Sequence, residues 1–188
     1  MEAVRRLIGA LLLFVAAAVA ADAPGEATAQ GKPDRDVPGW TVHAPTPAGW
    51  TADCCTYARA IGVDLVIYRG EWTGEPYGVM VLNVWPRKLA SLDAELDADR
   101  EHYLQADPAA KVARFPVRHR AMPCEAVVFE GSDKVDDAVV FCDPGKATGI
   151  RLSWSMSFKD ADPQRAALLD DFMRVVLGTG YRRTAAPR

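Results

Sequence analysis

The chain has 188 residues, 49% of them hydrophobic, and a formal net charge of −3 at neutral pH. That length suits one domain with enough apolar material for a proper core. The charge is mild and shows no clustering of basic residues, which excludes the usual footprint of a nucleic-acid partner.

Taken in chain order, the first feature is a targeting signal. Arg5 and Arg6 precede an apolar run from Leu7 to Val19, and Ala18-Val19-Ala20 offers small residues to a signal peptidase. This layout reads as a cleaved secretory signal over residues 1–20. The run is shorter than the roughly 20 apolar residues of a spanning helix, so no stable membrane insertion is expected after cleavage. The alanine-rich signal has a bacterial character and predicts a periplasmic or secreted protein. Cleavage removes Glu2, Arg5 and Arg6 and so deepens the negative charge by one.

Residues 21–36 are small, polar and rich in Pro and Gly, and read as a flexible leader. A single domain is expected over 37–181, followed by a basic tail over 182–188 that frays at the surface. Within the domain, Trp40 to Ala44 is a short strand and Pro45 to Trp50 a turn. Val63 to Tyr68 and Gly78 to Trp85 are strands. The second of these is apolar on both faces, as a central strand covered from both sides would be.

Ser91 to Leu104 reads as a helix with Ser91 as its N-cap and Leu92, Leu96, Tyr103 and Leu104 near one stripe. Its other face carries Asp93, Glu95, Asp97, Asp99 and Glu101. Their spacing does not match a calcium loop, so the expectation is a solvated face. Lys111 to Arg120 reads as an edge strand, because Pro116 cannot donate to a ladder. Glu125 to Glu130 and Ala138 to Cys142 form a hairpin across the polar loop "GSDKVDD". In Ile150 to Phe158, apolar side chains alternate with Arg151, Ser153, Ser155 and Ser157, which predicts a strand with one wet face. A last helix is expected to be capped by Asp162, with Pro163 in its first turn and Gly178 at its stop. Leu169, Phe172, Met173 and Val176 form its buried stripe. Strands interrupted by single helices define an α+β fold with an antiparallel sheet and helices packed on it.

The turn Pro47-Ala48-Gly49-Trp50, the two-sided strand leading into "SLDAELDADREHYL", the meander and the final amphipathic helix resemble the PsbP-like fold. That family includes the extrinsic PsbP proteins of photosystem II, the Ran-binding Mog proteins and bacterial DcrB-type proteins. The resemblance runs from about Trp40 to Gly180. It implies an α-β-α sandwich, and a protein that binds other proteins without catalysing a reaction. It supplies no catalytic residues.

Cys54, Cys55, Cys124 and Cys142 are even in number in an exported-looking chain, which predicts disulfides. The spacing leaves the connectivity open. Cys124 and Cys142 lie at matching ends of the hairpin and could bond directly, leaving the vicinal pair strained or free. The favoured arrangement sends each of Cys54 and Cys55 to one of them, which oxidises all four thiols without a ring across one peptide bond. Zinc or redox chemistry would want a Cys-x-x-Cys spacing, and none is present. His43, His102 and His119 fall on three different elements, with nothing in their spacing to make a metal or catalytic site. The alternating serines lack a nucleophile elbow.

The loop "GEWTGEPYG" carries Trp72, Pro76 and Tyr77, which either contact a protein partner or cover the sheet edge. The resulting expectation is an exported, non-enzymatic binding or accessory protein of the bacterial envelope. It would have a protein partner and neither metal nor cofactor. An immunity protein against a periplasm-directed toxin is one form of it. The alternatives are a thiol-active redox or metal-binding protein, and a carrier of a small ligand.

Overall fold

The computed structural model describes residues 24–33, 37–73 and 75–184. The expected signal over 1–20 and the last residues of the expected tail lie outside them. Alternation organises the main sheet. In β9 (Ile150–Lys159), the side chains of Ile150, Leu152, Trp154, Met156 and Phe158 share one face, as a period of two requires, and all five are buried. Fully burying side chains of this size stabilises by about 1.5–3 kcal/mol each, which makes this stripe the centre of the core. β9 lies inside a seven-stranded antiparallel sheet. Its neighbours are β5 (Gly78–Pro86) and β8 (Val135–Cys142). Beyond β5 come β4 (Leu65–Arg69) and β3 (Thr51–Asp53). Beyond β8 come β7 (Cys124–Glu130) and β6 (Lys111–Phe115).

The apolar face of β9 continues through Leu65 and Ile67 of β4 and Met80 and Leu82 of β5. Two units cover it. One is α3 (Arg165–Gly178), which buries Leu168, Phe172, Val175 and Val176. The other is a small antiparallel sheet in which β2 (Trp40–Thr46) lies between β1 (Gly25–Gly31) and β10 (Gly180–Arg183). The opposite face carries α2 (Leu92–Ala106), whose Leu96 packs with Val127, Phe129 and Phe141. A single turn, α1 (Tyr57–Ala60), sets Ala58 against Val66 and Tyr68. The architecture is thus α+β, an antiparallel sheet sandwiched between helices.

Several boundaries differ from the sequence reading. The expected flexible leader contains β1, paired along its whole length with β2, with Ala27 and Ala29 buried. Gly31 is required there, since a Cβ would lie 2.1 Å from the Trp40 indole nitrogen. The expected basic tail gives Arg182 and Arg183 to β10, opposite Thr41 and Trp40. The second part of the polar hairpin loop is strand. β8 starts at Val135, and its Asp136 is buried because it pairs with Arg165 at 2.9 Å. Asp162 accepts a hydrogen bond from the Gln164 amide, so α3 starts at Arg165 rather than directly after the aspartate. Ser91 caps α2, its hydroxyl accepting from the Ala94 amide at 3.2 Å.

The largest correction concerns the two faces read as solvated. Arg151, on the supposed wet face of β9, is 0% exposed. Glu95, on the supposed wet face of α2, is 8% exposed. They face each other, with Arg151 Nε 3.5 Å from Glu95 Oε1. Arg151 Nη1 lies 2.7 Å from Asp143 Oδ2, and the same carboxylate oxygen is 2.6 Å from Arg87 Nη1. The other acids diverge: Asp93 and Asp97 pair with Arg114 on β6. Removing one member of a buried ion network leaves its partner's charge uncompensated, at about 3–5 kcal/mol. Exposed pairs are worth about 0–1 kcal/mol. Arg151→Ala is therefore expected to lower unfolding stability by about 3 kcal/mol or more, and Arg114→Ala by less than about 1. Urea denaturation of the two variants checks this, and equal losses would contradict it.

Candidate functional site

The register of the β7–β8 hairpin puts Cys124 directly opposite Cys142, with their Cα atoms 4.2 Å apart, and the two are disulfide-bonded. Cys54 and Cys55 are bonded to each other. The favoured sequence-based connectivity, with each vicinal cysteine reaching into the hairpin, is therefore not the one formed. Pairing is local because the ladder already holds Cys124 and Cys142 at bonding distance. Both of these are buried, whereas Cys54 is half-buried and Cys55 exposed.

Asp53 holds the vicinal pair in place. Its Oδ1 accepts from the backbone amides of Cys55 (3.2 Å), Thr56 (3.0 Å), Tyr57 (2.6 Å) and Ala58 (3.0 Å). It thus caps α1 from outside the helix. Burial pushes its carboxyl up, but the four amide donors outweigh that and hold it below the ordinary value. The disulfide lines a groove of about 670 Å³ between α1 and β1, together with Trp40, Arg59 and Asp64.

The aromatic loop divides into two roles. Trp72 stacks on Tyr57 with ring centres 5.1 Å apart and meets Tyr68 edge-on at 5.3 Å, so it covers the end of the sheet. Pro76 is half-buried. Tyr77 is 43% exposed, yet held on two sides. Its hydroxyl donates to Asp162 Oδ1 at 2.7 Å, and the Arg69 guanidinium carbon lies 5.5 Å from its ring centre. The hydrogen bond pushes the phenol up and holds Asp162 below the usual carboxylate range.

The three histidines occupy separate neighbourhoods. His43 Nδ1 lies 3.1 Å from Thr28 Oγ1 and 3.3 Å from Glu26 Oε1. His119 Nδ1 accepts from the amides of Ala121 and Met122, so its proton is on Nε2, which donates to the Thr179 carbonyl at 3.0 Å. His102 stands exposed on α2. The Ser157 hydroxyl donates to Asp137. No three His, Cys, Asp or Glu side chains converge as metal ligands among the described residues.

Sequence reasoning missed a second depression, an open cleft of about 800 Å³ between α2 and the strands beneath it. Asn83 and Ser153, cross-strand neighbours on β5 and β9, help to line it. Asp64 borders it from just before β4, and Glu95, Asp99 and His102 from α2. Asp64 Oδ2 accepts from the Val84 amide at 2.7 Å, but burial dominates and pushes the carboxyl up. Burial likewise raises Asp99, while nearby His102 opposes the shift and Asp137 adds to it. The one signal in the sequence was Asn83, a polar interruption in an otherwise apolar strand.

These features define a disulfide-bonded α+β sandwich protein with one stapled hairpin and one vicinal pair. No family model and no curated protein matches the chain. Among solved structures, it is similar to the solution structure of cyanobacterial PsbP (CyanoP) from Synechocystis sp. PCC 6803. The TM-score is 0.48 and the identity 12%, over 81% of this chain and 91% of that one.

Two measurements follow from the cysteine geometry. Thiol titration of the denatured, unreduced chain is expected to find no free thiol. Brief reduction of the native protein should release Cys54 and Cys55 before Cys124 and Cys142, because only the first pair is accessible. Peptide mapping that joined Cys54 or Cys55 to the hairpin would overturn the assignment. Asp53→Ala should cost about 1 kcal/mol, as loss of an N-cap does. The native carboxyl titrates below the unfolded value of 3.8. Its contribution is therefore full above that pH and is lost as pH falls through the native value. Comparing wild-type and Asp53→Ala stability between neutral and acid pH reads this difference directly.

Proposed function

We propose that the chain is an exported, non-enzymatic accessory protein that acts by binding another protein in the bacterial envelope. The observation that carries this reading is the Tyr77 platform: a large aromatic ring exposed to solvent yet already fixed by Asp162 and Arg69. Immobilising a free side chain on binding costs about 0.5–1.5 kcal/mol. A ring held in advance avoids much of that cost, and tyrosine is enriched among the residues that dominate interface energy. Closure of all four cysteines in disulfides supports an oxidising compartment. Among the described residues, no helix is long and apolar enough to cross a membrane.

Within this reading, the specific form is an immunity protein that blocks a toxin directed at the periplasm, or an assembly factor of an envelope complex. A toxin gene beside this one would support the first. Neither form needs a thiol, which separates both from the thiol-active alternative.

The test is capture of the full chain, carrying a C-terminal tag, from its native envelope. One stoichiometric partner that survives moderate salt is expected. Tyr77→Ala should weaken that complex by about 30-fold, the effect of losing a hot-spot side chain worth about 2 kcal/mol. A chain that purifies alone would sink the proposal, and an unweakened Tyr77→Ala complex would remove Tyr77 from the interface.

A further inference from the structure

We propose that the cleft between α2 and the main sheet is a binding site for a primary ammonium group carried on an apolar stem. This goes beyond the protein-binding reading and does not rest on Tyr77.

The first ground is unused hydrogen-bonding capacity in a sheltered place. Ser153 is only 6% exposed and lines the cleft, and its hydroxyl has no hydrogen-bond partner among the described residues. The half-buried Asn83 sits directly opposite it on β5, and its side-chain amide is likewise without a hydrogen-bond partner among the described residues. Sheltered polar side chains are ordinarily satisfied by protein or water. Here two of them line one cavity side by side. Both can accept from an N–H donor through an oxygen.

The second ground is uncommitted negative charge. Glu95 is matched by the buried Arg151. Asp64 spends one oxygen on the Val84 amide and has no ion pair among the described residues. Asp99 makes neither a hydrogen bond nor an ion pair among the described residues, although it is half-buried. Two partly desolvated carboxylates, one on each side of the cleft, are stabilised by a cation between them. Lys88 and His102 are the basic side chains that line the cleft, and both are exposed.

The third ground selects the kind of cation. The described residues hold no ligand trio for a metal ion. Trp85 and Phe141, which meet edge to face at 5.9 Å, give the cleft an aromatic wall. Such a wall suits an organic cation with an alkyl stem. The volume, about 800 Å³, is that of a small-molecule site. A free aliphatic diamine and the side chain of a lysine present the same chemistry, and the experiment distinguishes them.

Isothermal titration of the full chain at low salt would use three probes: putrescine, Nα-acetyl-lysine amide and inorganic phosphate. Saturable one-to-one binding of at least one amine and none of phosphate is expected. Preference for putrescine identifies a free amine as the ligand. Preference for the lysine derivative identifies a lysyl side chain. Asp99→Asn, which removes only a charge, should weaken binding at least tenfold. Ser153→Ala should weaken it several-fold. Asp97→Asn, whose carboxylate pairs with Arg114 instead, should leave it unchanged. Circular dichroism of each variant separates lost binding from lost folding. Amide shifts in a two-dimensional NMR titration should centre on Asn83, Asp99 and Ser153. Absence of saturable amine binding at millimolar concentration would overturn the proposal. So would equal affinity in Asp99→Asn, or preferential uptake of phosphate.

Discussion

A guanidinium with no access to water must be met by carboxylates, and Arg151 sets that requirement at the centre of the main sheet. The partners come from three places in the chain: Glu95 from α2, Asp143 from just after β8, and Arg87 through their shared carboxylate. Apolar packing alone would let α2 slide or roll over the sheet, because hydrophobic contact is not directional. The charge match fixes its rotation. With Glu95 over Arg151, the next residue, Leu96, is turned onto Phe129 and Phe141, and Asp99, one turn on, overhangs the cleft. An apolar replacement of such a network often folds as well or better. What the ions supply here is the position of the helix.

The remaining elements are arranged to protect what this sheet leaves open. Sheet edges invite pairing with other chains. One edge of the main sheet is β3, only three residues long. The other is β6, which carries the exposed Lys111 and Arg114 and is stopped by Pro116. The disulfides follow the same division. Cys124–Cys142 locks two strands well inside the sheet, while Cys54–Cys55 stiffens the short link from the weak edge strand into α1.

Most of the sandwich was legible in the sequence because its strongest elements carry periodic signals. β9 alternates along its whole length, β5 is apolar on both faces, and Ser91 announces α2. Signals failed where a residue's setting depends on a distant partner. β1 was hidden because Ala27 and Ala29 are too small to register as an apolar face, although the Trp40 indole leaves room for nothing larger at Gly31. Asp136 and Asp137 suggested a loop, yet one is buried by Arg165 and the other accepts from Tyr103 and Ser157. Arg151 and Glu95 each looked solvent-facing on their own element. Only the stacking of α2 over β9 turns both inward. The cleft was invisible for the same reason: its lining comes from the β4 entry, β5, β9 and α2, and no local pattern links them.

The order of strands in the small sheet has a bearing on when the molecule can finish folding. β2 lies near the beginning of the domain, but one of its two neighbours, β10, is the last strand described. Until β10 arrives, Val42 has Tyr181 missing from its flank and the layer over α3's side of the core is open. A contact between opposite ends of a domain forms late, because the whole intervening chain must first be gathered. The last strand described thus completes a layer that the first two begin, and the small sheet works as a clasp joining the two ends of the fold.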